Sequence, residues 1–172
     1  WFASPQTFFP LAGLLARWSA LGAALFAAAG VYVGFVLAPT DAQQGEAYRI
    51  IFVHVPAAWM SMFLYVVMAF WAAIGLAFNT RLSGMMASAI APTGALFTFI
   101  ALWTGSLWGK PTWGTWWVWD ARLTSTLVLF LIFVGYLALR AFVEDPQQRA
   151  RWSAAVGAIG APAMGKTAPP CG

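Results

Sequence analysis

Four long apolar runs, at about Ser19 to Ala38, Ala57 to Phe78, Met85 to Gly109 and Leu123 to Val143, leave this 172-residue chain little choice but a bilayer. Each is close to the ~20 residues that a helix needs to cross the hydrocarbon core. Lipid offers no hydrogen bonds, so backbone groups must be satisfied within their own segment and runs of this length become helices. Charged side chains make up only 8% of the residues, against about a quarter in soluble domains. The expected fold class is therefore all-α, a polytopic transmembrane helix bundle with four full spans. A fifth apolar stretch, from near Trp152 to Met164, is too short to cross and is expected as a truncated span.

A single transmembrane domain over residues 1–164 is expected, since no 20- to 50-residue repeat is visible. The first run is too long for a signal-peptide core and Trp1 to Pro10 carries no positive charge, so it is expected to be a retained helix. The missing initiator Met suggests that a few residues precede Trp1, and the tail at 165–172 reads as truncated or non-native. The single Cys171 in that tail makes no internal disulfide and is expected to be a bystander thiol.

Nine cations give a net charge of +4, yet they form no basic run and so do not suggest nucleic acid. They report topology instead. With the N-terminus inside, Arg17, Arg81, Arg140, Arg149 and Arg151 lie on the inner side, against Arg49, Lys110 and Arg122 outside. That bias puts two connections on the outer face, 39–55 and 108–122. The inner connections are Asn79 to Gly84, rich in turn residues, and Glu144 to Arg151, where Pro146 is expected to stop the fourth helix.

The first outer connection opens with a polar turn, PTDAQQGE, and turns apolar again at YRIIFVHVP. Tyr48, Ile51, Phe52 and Val55 fall at i, i+3, i+4 and i+7, which predicts an interfacial helix or re-entrant turn. Pro56 suits the first turn of the second span, where a missing N–H costs nothing. His54, the only histidine, then sits at the outer end of that span, in apolar company that favours a neutral imidazole. Neutral imidazole is the form that binds iron. A structural histidine is the equal alternative, because a lone His with no CxxCH pattern fits no closed metal site. Arg49, five residues earlier, would lie about 140° round the helix from His54.

The second outer connection, WGKPTWGTWWVWDARLT, holds Trp108, Trp113, Trp116, Trp117 and Trp119, five of the 11 tryptophans. Rigid indole faces crowded on one side suit a flat, greasy, anionic ligand; the alternative is an ordinary aromatic belt. Trp113, Trp116, Trp117 and Asp120 are expected on one face of a short helix lying on the bilayer, with Trp119 pointing elsewhere. Asp120 also suits the N-cap of the fourth span, with Ala121 as its first residue. Lys110 and Arg122 flank the loop as carboxylate partners, Arg122 equally as a cation snorkelling to the headgroups.

Methionine is the other possible iron ligand, at Met60, Met62, Met68, Met85, Met86 and Met164, although gap-filling in the core suits all six better. Neither a Ser/His/Asp or Cys/His set nor a phosphate-cradling glycine loop can be assembled, so no enzyme activity is expected.

The segment WGTWWVWDARLTS, together with the histidine in IFVHVPAAWM, resembles the CcmC haem-handling family of bacterial cytochrome c maturation, which carries a tryptophan-rich WWD signature. The resemblance runs from about residue 5 to Ala161. It implies a six-helix inner-membrane protein whose periplasmic loop holds haem b for the haem chaperone CcmE, beside the ABC transporter subunits CcmA and CcmB and the small membrane protein CcmD. By the same resemblance His54 is an axial ligand of haem iron. Trp108, Trp113, Trp116, Trp117, Trp119 and Asp120 form the platform, and Arg49 and Arg122 meet the propionates. The family's second axial histidine, between the fifth and sixth spans, has no counterpart here. The expected function is thus to bind haem at the outer face and present it to CcmE. The rival is a subunit of a membrane b-type cytochrome or quinone oxidoreductase, which should bury paired histidines within its spans. A permease for a small aromatic solute is a third reading, but it lacks the buried charges and broken helices of transporters; Pro92 and Gly94 are the only notable kink candidates.

Overall fold

The computed structural model describes residues 5–78, 80–144, 151–152 and 155–156. Four α-helices run through them: α1 (Pro5–Tyr32), α2 (Ile51–Phe78), α3 (Arg81–Trp113) and α4 (Ala121–Phe142). All four are long and apolar enough to cross a membrane, so this is an all-α, multi-pass membrane protein. Most of the expected fifth span, the tail with Met164 and Cys171, and Pro146 with Arg149 lie outside the described residues. The helix α4 ends at Phe142, ahead of that proline.

Contacts divide the chain into two units, Trp1–Phe52 and Val53–Gly172. In the first, α1 begins well before Ser19 and passes into a π-helical turn over Val33–Leu37, closed by the Ala38 N–H donating to the Val33 carbonyl at 2.8 Å. Pro39 has no N–H to continue the pattern, and the next two carbonyls go to a side chain instead. Arg49 Nη1 donates to the Gly34 and Phe35 carbonyls, both at 3.0 Å, a cation on the negative end of a helix. Only glycine fits at 34, because a Cβ there would stand 2.7 Å from the Phe52 ring.

Between these helical pieces, Asp41 Oδ1 accepts the N–H groups of Gln43 and Gln44 at 2.9 and 2.7 Å. Gly45, at φ 59°, turns the chain. The N–H groups of Gln44 and then Gln43 hold the Asp41 carboxyl below the usual carboxylate range.

The expected interfacial helix at Tyr48 to Val55 is not separate. A 3-10 turn over Glu46–Ile50 runs straight into α2, since no glycine or proline interrupts Ala47 to Val55. Pro56 consequently falls inside α2 rather than in its first turn.

In the second unit, Tyr65, Met68, Ala69, Ala87, Ala91, Leu129, Phe133 and Tyr136 form the core. Small residues let these helices approach closely, as membrane helices must without a hydrophobic drive from water. Gly94 is the sharpest case: a Cβ there would stand 2.3 Å from the Phe133 ring, which packs edge-on to Tyr65. Gly94 is thus a seat for an aromatic ring, and α3 is helical throughout despite Pro92. Of the methionines expected in the core, Met68 is fully buried, whereas Met60 and Met62 face outward.

Candidate functional site

The start of α2 and the end of α3 bring His54 against three residues spaced i, i+1 and i+4. His54 Nδ1 lies 3.0 Å from the Thr104 hydroxyl. A Cβ on Gly105 would stand 3.1 Å from His54 Cε1 and 3.6 Å from Nδ1, so the glycine clears space for the ring. Trp108 closes the pocket edge to face, its centroid 5.9 Å from that of the imidazole. The histidine is half-buried.

From Trp108 the contacts continue outward. Its ring meets Trp113 at 6.3 Å between centroids. The guanidinium of Arg122 lies 5.9 Å from the centre of Trp113, within cation–π range. Arg122 Nη2 also donates to Asp120 Oδ2 at 3.0 Å. His54, Trp108, Trp113, Arg122 and Asp120 therefore form one chain of contacts.

The remaining platform residues lie on a different scaffold from the expected one. The helix α3 runs past Gly109, Lys110 and Pro111 to Trp113, and stops at Gly114 in the left-handed conformation, φ 77°. Residues 115–120 are not helical, so Trp113, Trp116, Trp117 and Asp120 do not share a helix face. The physical reason is that Gly114, in the left-handed conformation, ends α3, and the next helix does not start until Asp120 caps it. Thr115 comes back over α3, where a Cβ on Gly109 would stand 3.1 Å from its carbonyl oxygen.

Trp117 and Trp119 pair edge to face at 5.4 Å. The Trp117 indole N–H is buried and has no hydrogen-bond partner among the described residues. Trp119 is 76% exposed, and Trp113 and Trp116 are also mainly open.

Lys110 lies beside Trp116, 6.0 Å from the ring centre, while its Nζ donates to the Gly114 carbonyl at 3.0 Å. Asp120 caps α4 as its sequence position suggests, with Oδ1 accepting the Leu123 N–H at 2.8 Å. That N–H, and after it the Arg122 guanidinium, hold the Asp120 carboxyl below the usual carboxylate range. Arg122 itself is 81% exposed. Arg49 belongs to the first unit, where its guanidinium is engaged by two helix carbonyls and paired with Glu46.

Thr104 and Gly105 are the residues that sequence reasoning missed. Their signal was a small, polar interruption, TGS, in the otherwise bulky third run, at helical spacing from Trp108.

Helices that cross a membrane and carry an imidazole and an aromatic loop at one end define a polytopic membrane protein with its candidate site at the end of its spans. The chain belongs to the CcmC family: the family model described as heme exporter protein C matches residues 1–164. It is 50% identical to heme exporter protein C of Escherichia coli K12 over 143 residues, covering 83% of this chain and 58% of that protein. Against heme exporter protein C of Bradyrhizobium diazoefficiens it is 46% identical over 159 residues, 92% of this chain and 60% of the relative. A putative cytochrome c biosynthesis ccmC-like mitochondrial protein of Marchantia polymorpha is 51% identical over 118 residues, 69% of this chain and 52% of that one. The chain thus spans about three fifths of the length of the bacterial relatives that it matches.

Proposed function

We propose that this chain holds haem as cargo at the periplasmic face of a bacterial inner membrane and presents it to the haem chaperone CcmE, in a complex with CcmA, CcmB and CcmD. The observation that carries the proposal is His54, a half-buried imidazole whose Nδ1 is hydrogen-bonded to α3, packed beside an exposed tryptophan loop.

The donor set suits iron that arrives within its own macrocycle. Among the described residues no group of three or more His, Cys, Asp or Glu lies together to cage a bare ion, whereas haem iron needs only axial ligands from the protein. Bound haem, of the b type that the sequence resemblance implies, would supply an iron centre for one imidazole and two carboxylates for cations. His54 would hold the iron. The open faces of Trp113, Trp116 and Trp119 offer surface for a planar ring. Arg122, largely exposed, has donors for a propionate in bidentate geometry. Arg49 would have to release Glu46 or its helix carbonyls to do the same, so its contribution to holding the first unit comes first. Asp120 orients Arg122 and starts α4 rather than meeting an anion.

These roles are binding, orientation and release, and none of them requires turnover chemistry. An absorption spectrum of the purified chain, titrated with haem, tests the reading. A Soret band that His54→Ala weakens supports it, and a spectrum indifferent to that substitution rejects it.

A further inference from the structure

We propose that Thr104 is a positioning residue for His54: its hydroxyl accepts the Nδ1 proton and so fixes the neutral tautomer that leaves a lone pair on Nε2. The inference deepens the proposed function and rests on its reading of His54 as an iron ligand. Its geometry is independent of that reading.

A hydroxyl has one proton to give. Thr104 Oγ1 lies 2.6 Å from the Ile100 carbonyl, 3.4 Å from the Ala101 carbonyl and 3.0 Å from His54 Nδ1. The Ile100 oxygen is the nearest of the three and can only accept, so the Thr104 proton goes there. Toward the imidazole, Oγ1 then presents a lone pair, and Nδ1 must be the donor. A proton on Nδ1 of a neutral imidazole excludes one from Nε2.

Two further features hold the ring in register. The absent side chain of Gly105 leaves room for Cε1 and Nδ1, and Trp108 abuts the ring one turn later. Histidines that bind metals commonly donate their other N–H to a carboxylate or a carbonyl, and loss of that partner costs about 10- to 100-fold in affinity. Here the partner is a hydroxyl that passes its own proton back to the helix backbone.

The test uses the fact that the chain has one histidine. In the chain labelled with nitrogen-15 histidine and reconstituted without haem, the two ring nitrogens give the only histidine side-chain signals. Wild type should show a protonated Nδ1 and a bare Nε2. Thr104→Val, which keeps the shape and removes the hydroxyl, should shift the population toward a protonated Nε2, and Thr104→Ser should restore the wild-type pattern. In haem titrations Thr104→Val should bind about 10-fold more weakly or worse, with Thr104→Ser close to wild type. A protonated Nε2 in wild type, or a tautomer unmoved by Thr104→Val, overturns the role of Thr104. If the tautomer responds but neither Thr104→Val nor His54→Ala changes haem affinity, it is the ligand reading of His54 that fails.

Discussion

The imidazole of His54 and the indole of Trp108 meet edge to face, with 61° between their planes, and they arrive from different spans of an antiparallel pair. Trp108 thereby joins the histidine pocket to the exposed loop, because its other neighbour is Trp113. Substitutions at either end test whether pocket and loop act as one site.

The chain offers iron one imidazole, so ferric haem bound to it alone should be five-coordinate, or six-coordinate only through water, Met or a partner's group. Electron paramagnetic resonance of the purified ferric chain should give a high-spin signal, which His54→Ala should largely abolish together with most of the iron-dependent binding. A low-spin bis-imidazole signal, with no imidazole or partner added, is incompatible with this account.

A binding surface needs particular ring faces, whereas an aromatic belt tolerates any interfacial side chain. The double substitution Trp116→Ala and Trp117→Ala should abolish transfer of haem to CcmE while insertion into the membrane stays normal, as judged by the amount of protein in washed membranes. Undiminished transfer would return the loop to the role of a belt.

A crossing α3 puts the residue after it and the residue before it on opposite sides, and the arginine bias favours the end after it as the outer one. Alkaline phosphatase fused after Gly114 should be active in the periplasm, and the same enzyme fused after Thr80 inactive. The reverse pattern would invert every assignment of an outer face.

Asp120 should matter for stability as well as for Arg122. Losing its cap in Asp120→Ala should cost α4 about 1 kcal/mol, with Asp120→Asn retaining much of that. The folded carboxyl titrates below its unfolded value, so its stabilisation is fully present above about pH 4 and is lost as the pH falls through the lower, folded value. Thermal unfolding followed by circular dichroism should show wild type and Asp120→Asn converging as the pH is lowered through that window; a gap that stays constant down to low pH would remove the charge from the account.

The spans were legible because lipid permits one backbone solution for a long apolar run. Their ends were less so. Gly109, Pro111 and Gly114 all look like stop signals in the tryptophan segment, and only Gly114 is one. Local periodicity cannot choose among them, since the choice depends on Lys110 and Thr112 bonding within the final turns. Asp120 was readable because a cap is a local device. His54 was readable as a candidate by being alone, but its setting was not: Thr104 stands 50 residues away in sequence. Arg49 shows the same limit, since nothing in its neighbourhood announces that it closes the end of an earlier helix.

The length of α3 has a mechanical consequence. Its 33 residues make a rod of about 50 Å, against a hydrocarbon layer of about 30 Å. The rod carries Thr104 and Gly105 on one stretch and Trp113 about 14 Å further along. Tilting it swings both together, as two marks on a lever, with Trp113 at the longer arm if the pivot lies deeper in the membrane. A partner that pulled on the loop could therefore loosen the grip on His54 without touching it.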